Sequence, residues 1–474
     1  MGGRREVVHR AVGHVAVAGL VLAAGALVAC TPAPQDAPAS TEEPSPPGED
    51  SSPQPVDMPG HAAGRQAAWV IEQLEADSGS PVPEAAERFA DLFLEEIPAD
   101  QLPAVLDQVR ALGPWVPTAV TGDASSLEVL LEGPASSLLM QLAVDEDERI
   151  IGLFFGEPPP PRDPATSWEG LLDEVDDLPG ETSLLVATVA HDGTCVALDG
   201  LPAGSAAGEQ LPVGSIIKLY VLGAVVDAVG RGDLAWDERL TLTDDLRSLP
   251  SGELQDAPTG TTVTVEEAAR AMIAISDNTA TDLLVDAVGR EQVEQALTDL
   301  GHADPGANIP LATTRELFQL GWGGGAALRE EWRDAGTDAR RALLDGLPGG
   351  EIDIDLAEIG QVAAWTHDVD WFATADDLCA AHVGLAERAE TSHGAVLREI
   401  LAANPGLGEE AQEWAYVAFK GGSSVGTMAG AWYAEPDGGA ATVVVLQTAA
   451  VDPRQALPGV TMVGIAEDAL RLSR

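Results

Sequence analysis

Hydrophobic positions along this chain follow first a helical and then an alternating period, and the changes of period divide it. An uninterrupted apolar stretch runs from Ala11 to Ala29 behind Arg4, Arg5 and Arg10, the pattern of a processing signal. Residues 31–60 are mostly Pro, Ser, Asp and Glu with almost no large apolar side chain, which predicts a solvated tether. Helical spacing then appears in Ala67, Ala68, Val70, Ile71 and Leu74, and again in Ala90, Leu92, Phe93 and Leu94. A third short helix is expected over Leu102–Leu112, ending at Gly113-Pro114. Strand-like runs follow at Leu127–Leu131, Leu138–Val144 and Ile150–Phe155, separated by a Gly-Pro and by an acidic turn at Asp145–Glu148. Helices first and antiparallel strands second predict a small, cone-like α+β unit over 61–156. No acid pair or His cluster there calls for catalysis, so a binding or packing role is expected.

The proline run of residues 157–165 reads as a stiff linker. Beyond it, residues 166–474 open with helical 166–178 and a hairpin, Leu184–Ala190 and Thr194–Leu198, turning at His191-Asp192-Gly193. A mostly helical stretch covers about 215–412. Strands return at Trp414–Phe419, Thr427–Ala434 and Ala441–Thr448, and an amphipathic helix from Pro458 to Leu472 closes the chain. Strands at both ends enclosing a helical middle predict one antiparallel sheet with helices packed on it.

Charge narrows the partners. The formal net charge of −52 is spread along the chain with no basic patch to neutralise phosphates, which excludes nucleic acid. The eight His show no paired metal-ligand spacing, so no metal or other cofactor is expected. Leu27-Val28-Ala29-Cys30 looks like a bacterial lipobox. Residues 1–29 are then a signal peptide, and a diacylglycerol on Cys30 anchors the protein at the outer face of the cytoplasmic membrane, with 30–60 as its tether. Cys195 and Cys379 are expected as two separate buried thiols, although an exported compartment permits a bridge.

Three motifs carry the chemistry. In Ser215-Ile216-Ile217-Lys218 the apolar run to Val226 predicts a buried helix, with Ser215 and Lys218 on one face. A buried ammonium loses solvation and its pKa falls, so it can serve as a base. Ser276-Asp277-Asn278 lies 61 positions after Ser215, at the end of a helix over Val265–Ile275, and offers short polar groups to a cleft. Lys420-Gly421-Gly422-Ser423 ends a strand, its glycines letting a ligand lie along the edge. Of 25 basic residues only two are Lys, and both fall in these motifs. Arg cannot give up its proton, so Lys is kept where a base is needed.

In this order the motifs resemble those of the penicillin-recognising serine hydrolases, the class A β-lactamases and D,D-peptidases, with their S-x-x-K, S-D-N and K-T-G elements. The two-domain layout also resembles hydrolases of clavulanic-acid pathways and actinobacterial lipoproteins, in which a steroid-isomerase-like domain precedes a class A-like domain. The resemblance implies a monomeric enzyme whose Ser215 attacks a β-lactam or a D-Ala-D-Ala-like peptide or ester, the alternative being a slowly acylating lipoprotein that binds cell-wall peptides. Lys218 takes its proton, Ser276 and Asn278 relay protons and hold the substrate amide, and Lys420 favours a substrate carboxylate. Gly422 and Ser423 line the substrate, and the N–H groups of Ser215 and Ser423 form the oxyanion hole.

Two departures bear on turnover. No Glu-x-x-Leu-Asn is present to activate a deacylating water, and Gly421 replaces the hydroxyl residue of K-T-G. Residues 301–372 look inserted, with a helix near Thr313–Leu320 and a Gly-rich loop at Gly321–Gly325. Glu351, Asp353, Asp355, Glu358, Asp368 and Asp370 are candidates for a base. Gly422-Ser423-Ser424-Val425-Gly426 matches the nucleophile elbow of α/β-hydrolases, but that needs a helix after the turn, and Thr427–Ala434 reads as a strand.

Overall fold

The computed structural model describes residues 55–474 except 91–92, 95–96, 123–125, 135, 146–147, 157, 159–161, 199, 250 and 355–360. Cys30, most of the tether, Asp355 and Glu358 lie outside the described residues. The chain divides into two compact units between Pro160 and Pro161.

In the first unit, helices Ala62–Leu74, Ala85–Arg88 and Leu102–Arg110 precede four antiparallel strands, β1 (Val116–Gly122), β2 (Ser126–Glu132), β3 (Ser137–Val144) and β4 (Ile150–Gly156). They are ordered β1-β2-β3-β4. One apolar core joins helix residues Val70, Leu102 and Leu106 to Val129, Met140 and Leu153 of the sheet. Strand β1 has no counterpart in the sequence reading. It lies at the sheet edge and carries Pro117, which edge strands tolerate, so it lacks the continuous apolar run of an inner strand. Around Phe93 only two residues are described as helical.

The second unit is built on a five-stranded antiparallel sheet ordered β11-β12-β13-β5-β6. Its strands are β5 (Glu181–Val189), β6 (Cys195–Ala197), β11 (Tyr416–Ser424), β12 (Thr427–Glu435) and β13 (Thr442–Ala449). Central β13 is buried at every position because both its faces are covered. Successive side chains point to opposite sides. Val443 and Val445 therefore enter the core shared with the helical part. Val444 and Leu446 pack under the terminal helices Trp168–Asp176 and Gly459–Leu472.

The middle of this unit is mostly helical, as expected, but holds short strands too local to show a period. β8 (Arg239–Thr241) pairs with β9 (Thr262–Thr264), and β7 (Leu211–Pro212) with β10 (Phe372–Ala373). The 313–325 stretch begins as an α-helix, Thr314–Phe318. The expected Gly-rich loop is instead a wide π-helical turn over Gln319–Gly323, leading into helix Gly325–Asp334.

The two thiols are a correction. Cys195 and Cys379 form a disulfide, with Cα atoms 6.4 Å apart. Edge strand β6 and helix Ala375–Ala389 lie against one another, and that separation falls within the range a bridge spans.

Candidate active site

The helix that follows Ser215 is apolar almost all round, and a helix of that kind must be buried. Ten of its 14 residues, Lys218–Arg231, are. Ahead of it Gly214–Ile217 form a 3₁₀ turn, so Ser215 sits on the tight turn and Lys218 opens the α-helix proper. Gly214 has φ +48°, which suits glycine. Ser215 is half-buried, whereas Lys218 is fully buried.

A positive φ of 56° at Ser276 breaks the chain between helices Val265–Ala274 and Asn278–Val288. Asp277 caps the second helix through its Oδ1, which accepts from Ala280 N at 2.7 Å. Its Oδ2 accepts the Glu253 and Leu254 amides at 2.8 and 2.9 Å, pinning the neighbouring loop.

These elements bring the predicted residues together. Lys218 Nζ donates to Ser276 O at 2.6 Å, Ser276 Oγ at 3.1 Å and Asn278 Oδ1 at 2.7 Å. Lys420 Nζ reaches the same Ser276 Oγ at 3.0 Å and also Gly421 O at 2.6 Å. One hydroxyl therefore joins the only two lysines of the chain. Asn278 is fixed by its Nδ2 bond to Leu249 O at 3.0 Å. Ser215 Oγ is not among the partners of Lys218. The three ammonium protons already meet three acceptors, so the lysine must lose one before it can accept from Ser215.

Burial favours that loss. Lys218 is held well below the ordinary ammonium range, first by desolvation and then by the charge of Lys420, against the pull of Asp277 and Asp282. Burial brings Lys420 down to about 7. Asp282, which accepts from the Thr314 and Arg315 amides, is pushed up to about 7 by burial.

The lysine strand approaches closely for lack of side chains. A Cβ on Gly422 would stand 2.0 Å from Val213 O and 2.8 Å from Ser215 N; one on Gly214 would stand 2.9 Å from Ser423 N. The backbones carrying the Ser215 and Ser423 amides are thus in contact. Ser423 itself is exposed. After Ser424 the chain turns into strand β12 and not into a helix, so the elbow reading fails.

Of the candidate acids, Asp368 is exposed and paired with Arg340 at 2.9 Å, while Glu351 and Asp353 are exposed. Asp370 is different: it is buried and bonded to the nucleophile turn, a contact that no motif signalled. Among the described residues no carboxylate is hydrogen-bonded to Lys218. A cavity of about 440 Å³ lined by Asp245, Asp282, Arg290 and Arg315 adjoins the Asn278 helix. Its arginines are already bound, Arg290 to Glu316 and Arg315 to backbone carbonyls.

Residues 197–319, which include Ser215, Lys218, Ser276 and Asn278, match the model of the β-lactamase enzyme family. Residues 58–150 match that of the ORF 12 gene product N-terminal region. The second unit has a β-lactamase-like fold. Solved structures similar to the chain include PBP-A, at 18% identity over 67% of this chain and 98% of that one, TM-score 0.42. A β-lactamase from Sphaerobacter thermophilus has 20% identity over 64% and 97%, TM-score 0.44. One from Francisella tularensis has 14% identity over 64% and 95%, TM-score 0.43. No curated protein matches the chain.

Proposed function

We propose that the chain is a serine hydrolase that forms an acyl-enzyme on Ser215 with β-lactams or related amides and esters. The observation that carries this is the buried pair of lysines sharing one Ser276 hydroxyl; Lys218 and Ser276 lie in the segment that matches a β-lactamase family. Neutral Lys218 takes the Ser215 proton as Oγ bonds to the substrate carbonyl carbon. The carbonyl oxygen becomes an oxyanion facing the Ser215 and Ser423 amides. The proton passes through Ser276 to the leaving nitrogen, and the C–N bond breaks. Water then cleaves the ester to Ser215. The sequence carries no Glu-x-x-Leu-Asn to activate that water, so the second step is expected to be the slow one.

A fluorescent penicillin tests this. Wild type is expected to be labelled durably and Ser215→Ala not at all, with nitrocefin turned over slowly. Rapid nitrocefin hydrolysis would make it an efficient β-lactamase. No Ser215-dependent labelling would remove the β-lactam reading and leave an esterase or a binding protein.

The first unit, with its match to the ORF 12 N-terminal model, supports reading the chain as the two-domain form of clavulanic-acid-pathway hydrolases. The anchor on Cys30 is part of the same proposal. Mass spectrometry of the mature N-terminus should find diacylglycerol on Cys30, and Cys30→Ser should release the protein from membranes.

A further inference from the structure

A buried carboxylate bridges two parts of the site. Asp370 Oδ1 accepts from Gly214 N at 3.0 Å and Trp371 N at 2.8 Å. Its Oδ2 accepts from Ser424 Oγ at 2.5 Å. Gly214 opens the turn that carries Ser215, and Ser424 ends strand β11, next to Ser423. One side chain thus holds the flanks of both amides assigned to the oxyanion hole.

The surroundings make this a built contact. Trp371 O accepts from Val213 N at 2.8 Å, and β10 pairs with β7, so the Asp370 segment is stitched along the chain leading into Ser215. Asp370 is 7% exposed, and the three bonds its carboxylate accepts all come from uncharged donors. Burying an anion without a cation is costly, so this position is a poor one for stability alone. Its acceptors are instead matched to two donors that must keep a fixed spacing.

We infer that Asp370 is a positioning residue, a carboxylate clamp that holds the Ser215 turn against the end of β11 and so sets the distance between the Ser215 and Ser423 amides. It touches no substrate and acts through Gly214 and Ser424. The catalytic consequence rests on the acyl-enzyme reading above; the clamp itself does not. Oxyanion donors work only when preorganised, and displacing a reacting group by about 1 Å costs about 10²-fold.

Two variants of the full chain test it. Asp370→Ala leaves the Gly214 N–H and the Ser424 hydroxyl without their acceptor. Asp370→Asn keeps an oxygen for Gly214 and Trp371 and turns an N–H₂ toward Ser424. Labelling of Ser215 by fluorescent penicillin is expected to slow about 10²-fold in the Ala variant and to stay within about tenfold of wild type in the Asn variant. Amide hydrogen exchange is expected to rise about tenfold at 213–217 and 421–425 in the Ala variant alone, with β13 unchanged. Wild-type exchange at both segments in the Ala variant would overturn the clamp, whatever happened to labelling. A rise spread over the whole unit would overturn it too, because Asp370 would then serve the fold in general. If the segments loosen as expected and labelling is unaffected, the positioning role falls. If wild type is not labelled at all, the acyl-enzyme reading fails, and exchange alone decides the clamp.

Discussion

The two lysines differ in what surrounds them, and this gives them different sensitivities. Lys218 is fully buried, with three neutral acceptors and a second ammonium nearby, so its neutral form is favoured. A base works only when deprotonated, so Ser215 labelling should rise with pH at values well below those at which an exposed lysine titrates. Lys218→Arg keeps a charge but not a removable proton, and should lower the labelling rate by at least about 10³-fold. Lys420→Arg keeps the positive charge beside Ser276 and should cost about tenfold or less, chiefly in substrate affinity. Stopped-flow labelling over a pH series separates the two variants; equal losses in both would contradict the division of roles. Lys420 also has a stability consequence. Its pKa is about 7 in the fold against 10.5 unfolded, so the unfolded chain binds more protons between those values, and stability gains from this group as pH rises through that window.

At the scale of elements, strand β11 and helix Ala375–Ala389 show what the sequence discloses and what it hides. The Lys218 helix and the three returning strands were legible because each is a local pattern: an apolar run, or alternation between turns. The glycines after Lys420 read as room for a ligand along the strand edge; at Gly422 it is the Val213–Ser215 backbone that comes close. Gly422→Ala places a carbon 2.0 Å from a backbone oxygen that cannot swing away. It should destabilise by about 1–3 kcal/mol in urea unfolding. It should also slow labelling of the folded fraction by about 10²-fold. Asp370 was legible only as one of six candidate bases; its bond to Gly214 joins residues 156 apart, and no local pattern records it. The Cys195–Cys379 bridge was missed for the same reason, at a separation of 184. Replacing both cysteines by Ser should cost about 2–5 kcal/mol of thermal stability. The same helix carries His382, buried against Tyr433 with neither ring nitrogen bonded to a side chain. Burial holds it at about 4. Below its unfolded value of 6.5 the unfolded chain takes up a proton that the fold refuses, so stability falls as pH drops from 6.5 toward 4. A shift of that size amounts to about 3 kcal/mol. His382→Phe should narrow that acid loss, measured by urea unfolding at pH 7 and pH 4.5; an unchanged difference would exclude His382 as its source.

Across the whole molecule the formal net charge is −52, while the proposed site centres on two ammonium groups that burial brings toward neutrality. A penicillin carries a carboxylate, so it approaches through a field of its own sign and meets little compensating charge before it is bound. Salt shortens the reach of the surface charges to about 10 Å at 0.1 M, but it screens a desolvated pair much less. Added salt should therefore remove the repulsion on the way in and leave the contact with Lys420 largely intact. The second-order rate of Ser215 labelling by an anionic fluorescent penicillin is expected to rise about two- to tenfold between 10 mM and 0.3 M NaCl. An uncharged activated ester acylating the same serine should show almost no change. Most enzymes that collect charged substrates are steered by opposite charge and slow down in salt, so the sign of the effect is the informative result. A rate that falls with salt would mean that the two buried lysines dominate the approach path and that the acidic surface lies too far from it to matter.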